Sequence, residues 1–203
     1  MLFLGPLYQY AQSRLAGHIN HWPLVKLAIY SLDKTLFYLL IALVLRWGYL
    51  RLRHQKPRLR GELRWFFFTG YLLLLLMLTV FRNHYFPWQW PVYLHRPLSD
   101  INFVPLVNTL KLRFGSPVDL WYQSLGNVVW FLPFGFGLPA MTKHRLRPFG
   151  VVWRAALLSV VIEALQFVLY TGVADIDDVI FNTLGGLLGY GIYRFLFGRG
   201  KRQ

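Results

Sequence analysis

The sequence predicts an all-α, polytopic membrane protein with about five transmembrane helices and a structured external segment. Three observations carry that reading. Of the 203 residues, 56% are hydrophobic and 18% aromatic. The mean hydropathy is +0.39. Several uninterrupted apolar stretches approach the roughly 20 residues that a helix needs to cross a bilayer. The 22 Lys and Arg exceed the 8 Asp and Glu by a formal charge of +14. In a membrane protein such an excess collects in cytoplasmic loops against anionic lipid, so nucleic acid is not an expected partner. The chain has no cysteine, which excludes disulfides, thiol catalysis and thiolate metal sites.

Residues 1–34 read as an N-terminal interfacial segment. They lack a basic start followed by a compact apolar core and a small-residue cleavage site, so no cleaved signal is expected. Tyr8, Gln9, Tyr10, His18, His21 and Trp22 alternate irregularly, which suits a helix lying in the interface or a partly disordered tail. Five apolar spans follow, at 35–50, 65–81, 124–141, 149–170 and 179–197, and a basic tail closes the chain at 198–203. Asp33 and Lys34 abut the first span and Arg46 interrupts its far end, while residues from Leu24 onward are candidates to extend it.

Lys and Arg number seven in the loop from Arg46 to Arg64, three from Lys143 to Arg147 and four from Arg194 onward, against none between Thr171 and Asp178. The positive-inside rule therefore places the C-terminus in the cytoplasm and the acidic 175–178 loop outside. The three basic residues ahead of the first span oppose an external N-terminus.

That orientation gathers polar residues toward the outer leaflet. Arg82 lies where the second span ends, Asn127 near the start of the third, Glu163 and Gln166 before the end of the fourth, and Asp178 and Asn182 at the start of the fifth. At 1.5 Å of rise per residue, Asn182 lies roughly 6 Å and Glu163 roughly 10 Å below the surface. Ser159, Glu163, Gln166 and Tyr170 follow spacings of four, three and four and so form one stripe. Asp178, Asn182, Gly185 and Gly189 form another. Its small-xxx-small pair invites close approach, with the fourth span as the expected neighbour because the connection is short. Pro133, Gly135 and Gly137 are expected to interrupt the third span.

The stretch 83–123 carries five prolines and many aromatics. It is expected to fold over the outer surface with Trp88, Trp90 and Tyr93 at headgroup level, and 101–106 can dip into the layer where protein covers it.

Each marked group also has a structural reading. Arg82 serves as an interfacial anchor, or as the cation for Glu163 or a phosphate. Asp175, Asp177 and Asp178 form a solvated loop and N-cap, or part of a site; their spacing lacks the later ligands of a calcium loop, and no metal is assigned. Asn127, Gln166 and Asn182 individually read as interhelical hydrogen bonds.

The order Phe81-Arg82, then 102–106 (Asn-Phe-Val-Pro-Leu), 127–135 (Asn-Val-Val-Trp-Phe-Leu-Pro-Phe-Gly), Glu163-Ala-Leu-Gln166, Asp175-Ile-Asp-Asp178 and Asn182-Thr-Leu-Gly185 resembles the VanZ-like family of bacterial membrane proteins. The resemblance covers roughly 65–193 and implies a VanZ-like transmembrane domain at 35–197 in the cytoplasmic membrane. It adds Asn102 to the candidate site. The family usually has an arginine just before the Asp-Ile-Asp-Asp run, and 171–173 contain none. The named member is associated with low-level resistance to the glycopeptide teicoplanin.

Two functions follow as expectations. In the first, an outward-facing pocket of Arg82, Asn102, Asn127, Glu163, Gln166, Asp175, Asp177, Asp178 and Asn182 engages membrane lipid or a lipid-linked envelope precursor and limits antibiotic access. In the second, a membrane enzyme acts on a lipid-linked substrate, with Glu163 as general acid or base and Asp178 as its partner or as a metal ligand. Burial of Glu163 and a cation beside it would act in opposite senses on its protonation, and the sequence leaves that balance open. No cofactor is expected. The absence of an internal repeat argues against an alternating-access transporter.

Overall fold

The computed structural model describes residues 1–19, 21–107, 109, 117–142 and 146–198, with side chains in the fourth helix from Ser124 onward. The tail beyond Gly198, and Lys111, Arg113, Lys143 and Arg145 of the basic loops, lie outside the described residues. Among the described residues six helices carry the fold: α1 Gly5–Leu15, α2 Trp22–Leu52, α3 Leu59–Thr79, α4 Pro117–Met141, α5 Pro148–Val168 and α6 Ile176–Phe197. Pro23 and Pro148 stand in the first turns of α2 and α5, where the missing N–H costs nothing and the fixed φ suits a helix. Two 3₁₀ turns, Pro87–Gln89 and Leu98–Asp100, punctuate the segment between α3 and α4.

Among the described residues, four helices are long and apolar enough to cross a membrane: Trp22–Leu52, Leu59–Thr79, Ser124–Met141 and Pro148–Val168. The chain is an all-α, polytopic membrane protein. The fifth expected span is also helical, and the 22 residues of α6 make it about 33 Å long at 1.5 Å per residue. Its glycines, tyrosines and Asn182 dilute the apolar character that marks the other four.

The chain forms two compact units, Met1–Trp90 and Pro91–Gln203. In the first, α2 packs against α3. The sequence set Asp33 and Lys34 at the edge of a span, but the helix runs through them and both are fully buried. The reason is local neutralisation of the carboxylate. Asp33 accepts hydrogen bonds from the backbone amides of Leu2 (2.7 Å), Phe3 (2.7 Å) and Leu4 (2.6 Å) and from the Tyr85 hydroxyl (3.0 Å). Ser31 Oγ donates to the Met77 carbonyl at 3.1 Å. Farther along the pair, Arg46 grips Glu62 with two hydrogen bonds of 3.0 and 2.9 Å. Val44, Leu45 and Phe67 are left exposed, as suits helices solvated by lipid.

In the second unit α6 packs against both α4 and α5. Its glycines explain how. A Cβ added at Gly185 would stand 2.2 Å from the Val128 carbonyl oxygen, and one at Gly189 would stand 2.1 Å from that of Leu132. From the other side, a Cβ on Gly135 would meet the Gly186 carbonyl at 1.8 Å. The small-residue face of α6 therefore meets α4, where the sequence named α5 as its neighbour. Only Gly186 turns toward α5, with an added Cβ 2.6 Å from that of Ala155. Nor is α4 interrupted: it continues through Pro133 and Pro139. Proline is tolerated in a spanning helix when neighbouring helices cover the freed backbone.

Gly189→Ala is expected to lower thermal stability by about 1–3 kcal/mol, the usual cost of overpacking. Gly191, which has open space around its Cα, should accept alanine with unchanged or higher stability, since alanine is the better helix former by about 1 kcal/mol. Thermal unfolding of the two variants in detergent checks the contrast.

Candidate functional site

The site is built where α5 ends and α6 begins. Ser159, Glu163 and Gln166 share the buried face of α5, as their spacing predicts. Tyr170 does not join them. The helix stops at Val168, Tyr170 takes a positive φ of 54°, and its side chain is 63% exposed. Helix α6 opens on Asp175, whose side chain caps it by accepting from the Asp177 amide at 2.9 Å.

Glu163 ties the two helices together. Its Oε2 accepts the Asp175 amide at 3.1 Å, and its side chain lies within reach of the charge on Asp178. Among the described residues nothing donates to its other oxygen. One turn earlier on the same face, Ser159 Oγ accepts from Asn182 Nδ2 at 2.8 Å, with both side chains buried. Asn127 of α4 donates through Nδ2 to Asp178 Oδ1 at 2.6 Å. Gln166 is buried, its carbonyl accepts the Thr171 amide at 3.0 Å, and its side chain lies against Gly172.

A strap from the 91–107 segment closes over this junction. Asn102 forms a parallel bridge with Asp175: its amide donates to the Ala174 carbonyl at 2.9 Å and its carbonyl accepts the Ile176 amide at 3.0 Å. Its side-chain Nδ2 also donates to Asp175 Oδ1 at 2.8 Å. Asp177, 3% exposed, holds the same strap farther on, accepting from the Leu106 amide at 2.5 Å and the Thr109 hydroxyl at 2.6 Å. The acidic run is thus a structural hub.

Beneath the strap is a cavity of about 280 Å³. Glu163, Asn102 and Asp175 contribute to its wall, and Val160, Phe167 and Val179 are among the apolar groups that complete it. Among the described residues, no three His, Cys, Asp or Glu side chains converge as a metal site.

Eight of the nine candidates, all but Arg82, belong to this second unit. Arg82 belongs to the first, where its Nε donates to the Thr79 carbonyl at 3.2 Å and burial lowers its pKa. The residue that sequence reasoning missed is Arg96. Its guanidinium bonds Asp100 (3.1 Å), the Phe167 carbonyl (3.3 Å) and the Gly172 carbonyl (3.1 Å), and it sits between the Phe167 and Tyr170 rings. An arginine thus clasps the turn before Asp175 from far upstream. The one available signal was its spacing of four from Asp100.

With this geometry in view, the comparisons are specific. The VanZ/LLP1 family model matches residues 68–197. The chain belongs to the VanZ/LLP1 family. Protein VanZ of Enterococcus faecium is 34% identical over 125 residues, covering 61% of this chain and 68% of that protein. No solved structure matches. The family match spans α4, α5 and α6 and every candidate residue, so the junction just described is part of a VanZ-like membrane protein.

Arg96→Ala should loosen the 169–175 turn, leaving two carbonyls and Asp100 without their cation, at a cost of about 1–3 kcal/mol. Faster proteolysis in that turn, with Arg96→Lys intermediate because it lacks the planar fork, is the expected readout.

Proposed function

We propose that this protein holds the apolar chain of an envelope lipid or lipid-linked precursor at the α5–α6 junction, with its C-terminus in the cytoplasm and the junction opening outward. Asn102, Glu163 and Asp175 line the recess, while Asn127, Gln166, Asp177, Asp178 and Asn182 hold the strap and helices around it. Occupancy of that ligand limits access of glycopeptides such as teicoplanin to their target. The observation that carries the reading is the cavity of about 280 Å³, whose exposed wall is apolar, next to Glu163, a buried acid with no donor to its second oxygen among the described residues. Such a combination suits an amphiphile: the chain is desolvated along Val160, Phe167 and Val179 while a hydroxyl or amide of its head donates to Glu163.

A second reading has its own observation. Glu163 lies within reach of the charge on Asp178, and a pair of acids at one junction is an arrangement that general acid–base chemistry uses. In that reading the protein is a membrane enzyme acting on a lipid-linked envelope substrate.

One pair of variants separates the two. Glu163→Gln keeps shape and can still accept hydrogen bonds, whereas Glu163→Leu keeps neither. Binding predicts that teicoplanin susceptibility, measured in cells with and without the gene, is unchanged by Glu163→Gln and becomes that of gene-free cells with Glu163→Leu. Loss of the phenotype in Glu163→Gln as well as in Glu163→Leu favours catalysis, and full phenotype in both variants removes Glu163 from function.

A further inference from the structure

The first unit contains a charge imbalance that its own residues do not resolve. Within Met1–Trp90 the carboxylates are Asp33 and Glu62. Glu62 is held by Arg46. Both oxygens of Asp33 are taken, one by the amides of Phe3 and Leu4 and the other by the Leu2 amide and the Tyr85 hydroxyl. Neither acid is an ion-pair partner for Lys34 or Arg82. Lys34 is nonetheless fully buried, with its Nζ donating to the Phe81 carbonyl and lying 4.4 Å from the centre of the Tyr30 ring. Arg82 donates through Nε to the carbonyl of Thr79, the last residue of α3, two positions before Phe81.

Capping explains part of this arrangement. Cations are favoured where a helix leaves its last carbonyls unpaired. But the cap engages one donor of each side chain. Nothing among the described residues accepts from the two terminal nitrogens of Arg82, a residue that is still partly exposed. Lys34 and Arg82 end on carbonyls two positions apart with no carboxylate as ion-pair partner for either, an arrangement that an anion supplied from outside would favour. The planar fork of arginine matches the paired oxygens of a phosphate.

We propose that Arg82, with Lys34 behind it at the end of α3, seats a phosphate group carried by a lipid headgroup or free in solution. Arg82 makes the contact, and Lys34, shielded from solvent, strengthens the local positive field. The site lies wholly in the first unit and does not depend on the junction between α5 and α6.

The test uses the full chain purified in a neutral detergent, with thermal unfolding followed as each probe is added: dioleoyl phosphatidic acid, inorganic phosphate, and dioleoylglycerol as the chain-matched control without phosphate. A saturable rise in Tm of several degrees with phosphatidic acid over dioleoylglycerol is expected. A rise with inorganic phosphate as well identifies a site for the bare group, and a rise with the lipid alone identifies the headgroup as its source. Arg82→Gln should abolish the rise and Arg82→Lys should keep part of it. Lys34→Met should weaken it, and an unchanged rise would remove Lys34 from the site. Arg58→Gln/Arg60→Gln, exposed where the basic loop enters α3, should leave it unchanged. The proposal is overturned if neither phosphate probe exceeds dioleoylglycerol, if Arg82→Gln responds like the parent, or if the rise is lost with the loop variant.

Discussion

The second unit depends on keeping a carboxylate inside a membrane-spanning helix. Glu163 is 7% exposed, and a charged side chain near the centre of a span costs roughly 2.5–3.5 kcal/mol on insertion scales. The protein answers with the Asp175 amide at the head of the next helix. Once that bond is made, the α5–α6 turn is short and fixed. Asp175 is left to cap α6 and to pair with Asn102, while Asp177 turns to the strap and Asp178 to Asn127. The acids of one short run cap α6 and reach both the strap and α4, so the recess owes its shape to polar contacts at least as much as to apolar packing.

Those contacts require helices that lie closer than ordinary side chains permit. Gly185 and Gly189 bring the α6 backbone against the carbonyls of Val128 and Leu132. Apolar side chains gain little by leaving lipid for protein, so close packing and buried hydrogen bonds supply the association. Asn182 lies in the same buried helix as the glycines and uses the short distance to reach Ser159. Glycine and amide therefore act together: the first sets the separation and the second fixes the register.

Much of this was legible in the chain. The spacing of Ser159, Glu163 and Gln166 identified the buried face of α5 because helical periodicity is a local property. Partner choice was less legible. The short α5–α6 connection suggested that α6 would spend its glycines on α5, yet those glycines met α4, because adjacency in sequence fixes contact but not the face that makes it. Pro133 was read as a break since the sequence does not show which neighbours cover the backbone. Asp33 and Lys34 were read as a boundary because their neutralising partners, the amides of Leu2 to Leu4 and the Phe81 carbonyl, are distant in sequence. Arg96 escaped notice for the same reason: Gly172, whose carbonyl it holds, is 76 positions away.

The central claim is that the polar stripe of α5 faces the head of α6. The absence of native cysteine makes it directly testable by pairwise labelling in membranes. In a Ser159→Cys/Asn182→Cys double variant, a short bifunctional methanethiosulfonate should join the two positions, giving a crosslinked peptide pair by mass spectrometry. Ser159→Cys/Leu188→Cys, which uses an exposed position on α6, should not give one. Equal crosslinking of both pairs, or crosslinking of the second pair alone, would contradict the account.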